Sequence, residues 1–341
     1  MRLKRIRIAG ALLLVPAWLA AADLRIYAID VEGGKSTLFV SPSGESMLVD
    51  AGYAGYNNRD AGRIAAAAKA AGIRQIDYLV VTHYHQDHVG GVPQLAAAMP
   101  IKTFIDHGPN FEDVKDNGEV YRAYLAARAK GKHLVVKPGD TIPIHGIQVV
   151  VVTAAGKAID KPLPGAGQPN PLCASYKALA VDTGENAHSI GMWITYGQFH
   201  AVDLGDLYWN QEHDLACPAN KLGQADLYLT THHGKKTSGS PQLVWALAPR
   251  VAVMNNGPDT GGSVEAWQTI HDSPGLADLW QLHFATKNDA AHNAAEEFIA
   301  NLAAENCEGQ WISVTAHQDG SFTVANGRNH FEKTYSKAPG N

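Results

Sequence analysis

The ten residues from Thr82 to Gly91, T-H-Y-H-Q-D-H-V-G-G, place four side chains able to ligate a metal, His83, His85, Asp87 and His88, within six positions. In an extended segment residues two apart point the same way, so His83 and His85 can converge on one cation. A chain turning into a helix just beyond them redirects Asp87 and His88 toward a second. Two neutral imidazoles, and next to them a mixed carboxylate and imidazole pair, suit Zn(II), with Fe(II) or Mn(II) as alternatives. Imidazoles this dense are seldom left without a partner.

Such ligands need rigid elements behind them. Apolar and β-branched runs bounded by Gly, Pro or Asp predict strands over Leu24–Asp30, Ser36–Val40, Ser46–Asp50, Tyr78–Thr82, Lys102–Asp106 and Ile147–Thr153. Further runs predict strands over Lys177–Val181, Ile190–Tyr196, Phe199–Leu204, Asp226–Thr231 and Val251–Asn255, with a terminal pair near Trp311–Ala316 and Ser321–Val324. Helical periodicity is found over Ala61–Ala71, Val92–Ala98, Val120–Ala129, Pro241–Leu247, Val264–Asp272 and Ala290–Ala303. The alternation predicts an α/β architecture with helices covering sheets. The Pro- and Gly-rich stretch Lys161–Pro171 reads as a long surface loop inside one domain.

The H-x-H-x-D-H motif between a buried-looking strand and a helix resembles the hallmark of the metallo-β-lactamase fold superfamily, and the resemblance extends from about residue 24 to about residue 257. It implies a four-layer αββα sandwich and a two-metal hydrolytic site. Asp50, ending SMLVD before Ala51-Gly52, is similar to the aspartate that supports the metal loop. Gly205-Asp206, after FHAVDL, resembles the Gly-Asp whose carboxylate bridges two metals; Asp203 competes with it but falls inside the predicted strand. The family's last metal histidine corresponds to His233, which directly precedes a small residue, or to His232, which continues the strand ADLYLTT and would leave His233 to meet substrate. The stretch Glu185-Asn186-Ala187-His188-Ser189 resembles the version found in the subgroup of DNA-uptake-channel hydrolase domains and phosphorylcholine esterases. There the third ligand of the first metal is His188, or a water held by Asn186 and Ser189. His107 and His283, at strand ends, are further candidates for the same rim.

The resemblance therefore implies two zinc ions per chain, iron or manganese being possible, held by His83, His85, Asp87, His88, Asp206 and His233 or His232. The reaction is hydrolysis by a metal-activated hydroxide, with Asp87 and His233 as catalytic residues. A phosphoester-type small molecule is the expected substrate, because the bridging position is Asp rather than the Cys of many β-lactamases. A β-lactam or lactone hydrolase, or an iron-dependent thiol-oxidising relative, is the alternative.

Length and composition agree with a folded enzyme. The chain has 341 residues, 45% hydrophobic and 18% charged, enough to bury a core without staples. Arg2, Lys4, Arg5 and Arg7 precede an apolar stretch from Ile8 to about Ala20 that Pro16 interrupts, followed by Ala20-Ala21-Ala22. Residues 1–22 read as a signal peptide, with 23–341 as the mature hydrolase domain, secreted or periplasmic and without a membrane span. Loss of those four positive charges takes the formal net charge from −5 to −9, which argues against strong nucleic-acid binding. Cys173, Cys217 and Cys307 lack any C-x-x-C pair, which argues against a thiolate zinc site; one disulfide and one free thiol, or three buried thiols, both fit. No phosphate loop, nucleophile elbow or dinucleotide fingerprint is present.

Overall fold

The computed structural model describes residues 22–112 and 115–337. The signal peptide predicted over 1–22 lies outside these residues except for Ala22. Among the described residues no helix is long and apolar enough to cross a membrane.

Two large mixed sheets face each other. The first runs, edge to edge, Glu332–Tyr335, Phe322–Asn326, Ile312–Ala316, Leu24–Ala28, Thr37–Val40, Ser46–Val49, Ile76–Val80, Ile101–Asp106 and Lys132–Val135. The second runs Ile299–Asn301, Asp278–His283, Val251–Met254, Leu227–Leu229, Phe199–Asp203, Gly191–Tyr196, Gln148–Ala154 and Thr141–Ile142, with Lys157–Ala158 beside Gln148–Ala154. Strands buried on both faces, such as SMLV at Ser46–Val49 and VAVM at Val251–Met254, are continuous apolar runs, whereas Leu24–Ala28 and Ile312–Ala316 alternate buried and half-buried residues.

Between the sheets pack Leu24, Ile26, Phe39, Val80, Val149, Met192, Leu227, Val251, Trp280 and Val314. On the outer face of the first sheet, Ala61, Ile64, Ala67 and Leu95 of the helices Arg59–Ala70 and Val92–Ala98 meet Leu38, Leu48 and Leu79. On the outer face of the second, Leu215, Leu243, Val244, Trp267 and Ile270 of Trp209–Ala216, Pro241–Leu247 and Val264–His271 meet Val202, Tyr228 and Ala252. The layers are therefore α, β, β, α, and the fold is the metallo-β-lactamase fold.

Each sheet contains a run of parallel strands. In the first these are Ser46–Val49 through Lys132–Val135, and in the second Phe199–Asp203 through Ile299–Asn301. Loops leaving the carboxyl ends of parallel strands lie at one end of a sheet, where ligand-binding groups of α/β proteins collect.

The segment after Gly257 completes both sheets: Asp278–His283 and Ile299–Asn301 extend the second, and the last three strands extend the first through the pairing of Ile312–Ala316 with Leu24–Ala28. Two sequence expectations are corrected here. Ala290–Ala303 is not a helix but two short turns followed by the strand Ile299–Asn301, because Asn288 and Asn293 bond loop carbonyls instead of facing solvent. Lys177–Val181 joins no sheet; the carbonyls of Leu179 and Ala180 accept from the Asn210 side chain, and Val181 is exposed. The Lys161–Pro171 loop is tied to Ala219–Asn220 by backbone bonds, and the Cys173–Cys217 disulfide follows it. It borders a cavity of about 970 Å³ lined by Trp193, His200, Trp245 and Arg250. His200 is the second residue of the strand Phe199–Asp203, whose far end leads to Asp206, so that cavity is at the opposite end from the histidine cluster.

Candidate metal centre

His83 and His85 lie on the extended exit from Ile76–Val80, and His85 forms the N-cap of the short helix Gln86–Val89, which carries Asp87 and His88. The helix brings these two against the second sheet because the chain behind them is closely packed. A Cβ on Gly91 would lie 2.1 Å from the Ala51 carbonyl oxygen, so only glycine fits there. On the second sheet, Gly205 has φ +57 and faces Ser189 and Thr82 where a Cβ would meet the Ser189 Cβ at 2.8 Å. That turn aims Asp206 into the space between the sheets. His232 and His233 follow Leu227–Leu229 with φ of +53 and +55, left-handed values that cost energy for non-glycine residues and cluster at functional sites.

The resulting contacts are short. The Nε2 atoms of His88 and His233 are 3.2 Å apart, and the Asp206 Oδ2 is 3.3 Å from each. Asp87 Oδ2 is 3.4 Å from His233 Nε2 and 3.6 Å from His88 Nε2. These four residues form one group in which every ligand atom lies within 4.8 Å of the others. His232 Nε2 reaches Asp206 Oδ2 at 3.5 Å from the other side, its ring stacked on Tyr208. His83 Nε2 faces His85 Nδ1 at 3.0 Å.

The hydrogen-bond network assigns the tautomers. Thr82 Oγ1 donates to Asp50 Oδ2 at 2.7 Å, so it accepts from His83 Nδ1 at 3.1 Å and leaves His83 Nε2 bare. The same Asp50 oxygen accepts from His88 Nδ1 at 2.7 Å, leaving His88 Nε2 bare. Ser238 Oγ donates to the Leu207 carbonyl and accepts from His232 Nδ1 at 3.0 Å, with the same result for His232. His85 Nε2 donates to Glu112 Oε2 at 3.2 Å, so its Nδ1 is bare as well. His83 and His85 therefore point two lone pairs at each other, which only a shared cation or proton makes favourable. Asp206 Oδ1 is buried without a hydrogen-bond partner, a further demand for a cation.

The electrostatics agree. Burial opposes ionisation of Asp206, but the imidazoles of His88, His233 and His232 hold its carboxyl well below the usual carboxylate range. Asp87 is also lowered, burial being outweighed by His88 and His233. Burial lowers the pKa values of His88 and His233, but Asp206 and Asp87 raise them above the ordinary imidazole value, a pull toward positive charge that a cation at their Nε2 atoms would satisfy. His83 is pushed well down by burial and by His88, and burial pushes His232 down to about 3. Neutral imidazoles and ionised carboxylates are the protonation states that bind a divalent metal.

The structure thus brings together His83, His85, Asp87, His88, Asp206, His233 and His232, with Asp50 and Ser189 behind them. Ser189 Oγ accepts from the Asp206 amide at 3.1 Å and lies 3.4 Å from His83 Nδ1. Asp203 does not belong: its Oδ1 pairs with Lys35 Nζ at 2.5 Å. His188 does not reach the cluster either. Its Nδ1 donates to the Gly184 carbonyl at 2.7 Å and its ring stacks on Phe111 at 3.7 Å. Asn186 lies beside Tyr208, donating to its hydroxyl at 3.3 Å. His107 is sealed against Glu185 at 3.1 Å, and His283 bonds Asp30 away from the cluster. In the sequence, N-N-G at Asn255–Gly257 after a strand reads as a turn or as a group that orients substrate; in the structure Asn255 follows Val251–Met254 at the same sheet end and contacts His233 Nδ1 at 3.2 Å.

Residues 29–168, which include the whole H-x-H-x-D-H segment, match the family model described as the metallo-β-lactamase superfamily. That match is to a metallo-β-lactamase superfamily domain over this part of the chain. It is 26% identical over 189 residues to ComE operon protein 3 of Bacillus subtilis, a match covering 55% of this chain and 21% of that protein. It is also 26% identical over 140 residues to a hydroxyacylglutathione hydrolase of Rhodopseudomonas palustris, covering 41% of this chain and 46% of the relative. The chain thus spans less than half the length of either relative. Among solved structures, the metallo-β-lactamase fold protein YhfI from Bacillus subtilis aligns with a TM-score of 0.45 at 13% identity, over 76% of this chain and 96% of that one.

Proposed function

We propose that this chain is an exported metal-dependent hydrolase of a small phosphoester-type substrate, with two zinc-class cations held by His83, His85, Asp87, His88, Asp206 and His233. The observation that carries the proposal is the pair of bare nitrogens on His83 and His85, 3.0 Å apart, beside the buried Asp206 carboxylate with an unpartnered oxygen. When bound, such cations supply Lewis acidity that makes a water nucleophilic near neutral pH and stabilises charge on a departing oxygen. The chain's own groups do the rest. Asp50, Thr82 and Ser238 lock His83, His88 and His232 with Nε2 inward. Asp87 is the carboxylate that meets water, since its side chain is 15% exposed against 2% for Asp206. Its Oδ2 is the atom that orients an attacking water and takes up a proton. The Tyr208 hydroxyl and the Lys235 ammonium, which depresses His232, lie where an anionic substrate group can be held.

An all-nitrogen and oxygen donor set, with Asp206 where many β-lactamases have cysteine, favours a phosphoester. Thioester hydrolysis is the second reading, favoured by the match to hydroxyacylglutathione hydrolase. Export belongs to the same proposal: residues 1–22 read as a signal peptide, and the Cys173–Cys217 disulfide suits an oxidising compartment. The test is turnover by zinc-reconstituted protein of bis(p-nitrophenyl) phosphate, S-lactoylglutathione and nitrocefin in parallel, beside Asp87→Asn. Preferential phosphodiester cleavage lost in the variant supports the proposal. Preference for the thioester or nitrocefin, or iron in the native protein with no hydrolysis, overturns it.

A further inference from the structure

A second group of donor atoms lies outside the centre described above. Asp30 and Glu32 follow the strand Leu24–Ala28 of the first sheet, His283 ends Asp278–His283 of the second, and Cys307 comes from the loop before Ile312–Ala316. One ligand atom from each lies within 4.8 Å of all the others. His283 Nε2 is 2.8 Å from Asp30 Oδ1 and 3.8 Å from Glu32 Oε2, and Cys307 Sγ is 3.0 Å from Glu32 Oε1, 3.3 Å from Asp30 Oδ2 and 4.0 Å from His283 Nε2. Asp30 and His283 are fully buried.

We propose that Asp30, Glu32, His283 and Cys307 form a separate structural site for one zinc-class divalent cation, clamping the two sheets and the Cys307 loop together. The donor set, one thiolate, one imidazole and two carboxylates, is of the mixed kind that suits tetrahedral zinc. Arg63 completes it. Its Nη1 donates to Asp30 Oδ2 at 2.8 Å and to Glu32 Oε1 at 3.0 Å, and its Nη2 reaches the Cys307 carbonyl at 3.0 Å and Sγ at 3.2 Å. Asp30 Oδ1, which also accepts the Glu32 amide at 2.8 Å, and Glu32 Oε2 face the imidazole. Three anionic donors, one guanidinium and one divalent cation sum to zero charge, whereas the ionised donors with Arg63 alone would leave a buried excess of negative charge. Binding a cation through Cys307 Sγ releases the thiol proton to solvent. The thiol is available, because the other two cysteines are joined in a disulfide.

Cobalt(II) substitution of the full chain tests the site separately from the histidine centre, which contains no sulfur. The expected result is an intense near-ultraviolet cobalt–thiolate charge-transfer band, three cobalt ions per chain, and loss of the band with one ion in Cys307→Ser. In His283→Ala the band is lost while the histidine centre keeps its two ions. Should neither variant fold, the wild-type spectrum still decides. A wild-type chain that binds cobalt without a thiolate band, or whose band survives Cys307→Ser, overturns the site and leaves Arg63 as the only cation of an ion-pair network. Absence of the two other ions alongside a thiolate band would refute the histidine centre instead.

Discussion

Replacing Asp50 by asparagine removes an acceptor on which two of the imidazoles depend. Asp50 is fully buried; its Oδ1 accepts the Thr82 amide at 2.8 Å, and its Oδ2 accepts both the Thr82 hydroxyl and His88 Nδ1 at 2.7 Å. Asparagine can keep the first bond and tolerates the left-handed φ of +61 at this position, so the backbone is not the variable. Its amide NH2 would then face two donors. The cheapest escape is for His88 to carry its proton on Nε2, which takes away the lone pair offered to a metal. Loss of such an orienting partner typically costs 10–100-fold in metal affinity, which is about 1.4–2.7 kcal/mol. The metal-free fold should lose roughly 1.5–3 kcal/mol for a charged hydrogen bond. The assay is competition of apo protein against a chromophoric chelator, with chemical unfolding of the same apo samples. Binding of both zinc equivalents by Asp50→Asn with wild-type affinity would refute the tautomer argument.

Lys35→Met should destabilise the fold by roughly 3–5 kcal/mol, since it leaves the buried Asp203 carboxylate unpaired; chemical unfolding should recover most of this in Lys35→Met with Asp203→Leu. Burial pushes Glu212 up to about 7 and Asp226 up to about 6. Both bind their proton more tightly in the folded state, so the stability they contribute is complete below the ordinary carboxyl pKa of about 4 and is lost as pH rises through those values. Unfolding free energies measured across that range should fall with pH, and Glu212→Gln should flatten the decline. The Cys173–Cys217 bridge spans a separation of 44 residues, and its reduction should cost about 4 kcal/mol by the chain-entropy estimate, read as a lowered denaturant midpoint in dithiothreitol.

How much of this was legible in the sequence differs from element to element. The helices Val92–Ala98 and Pro241–Leu247 have the bounds that periodicity gives, because a proline at the second or first position and a break after the last apolar residue mark them locally. Asp206 rather than Asp203 points into the centre because Gly205 turns the chain after the strand, a signal readable as Gly-Asp. His188 misleads because its type suits a ligand while its register faces Phe111 and Gly184. The helix Trp209–Ala216 escapes notice since WNQEHDLA has few apolar residues, and its buried Glu212 accepts the Gly239 and Ser240 amides at 2.7 Å. The Asp30, Glu32, His283 and Cys307 group leaves no local trace at all. Its members come from both sheets and a distant loop, and only the sandwich brings them together.

The proposed function requires that the histidine and aspartate cluster hold two metal ions, with Asp206 among the residues that hold them. Metal content per chain, measured by elemental analysis on protein purified without chelator beside Asp206→Ala and Cys307→Ser, tests it most directly. Two metal ions remaining in Cys307→Ser, and fewer than the wild-type content in Asp206→Ala, are the predicted result. No metal bound after reconstitution, or a content unchanged by Asp206→Ala, would contradict it.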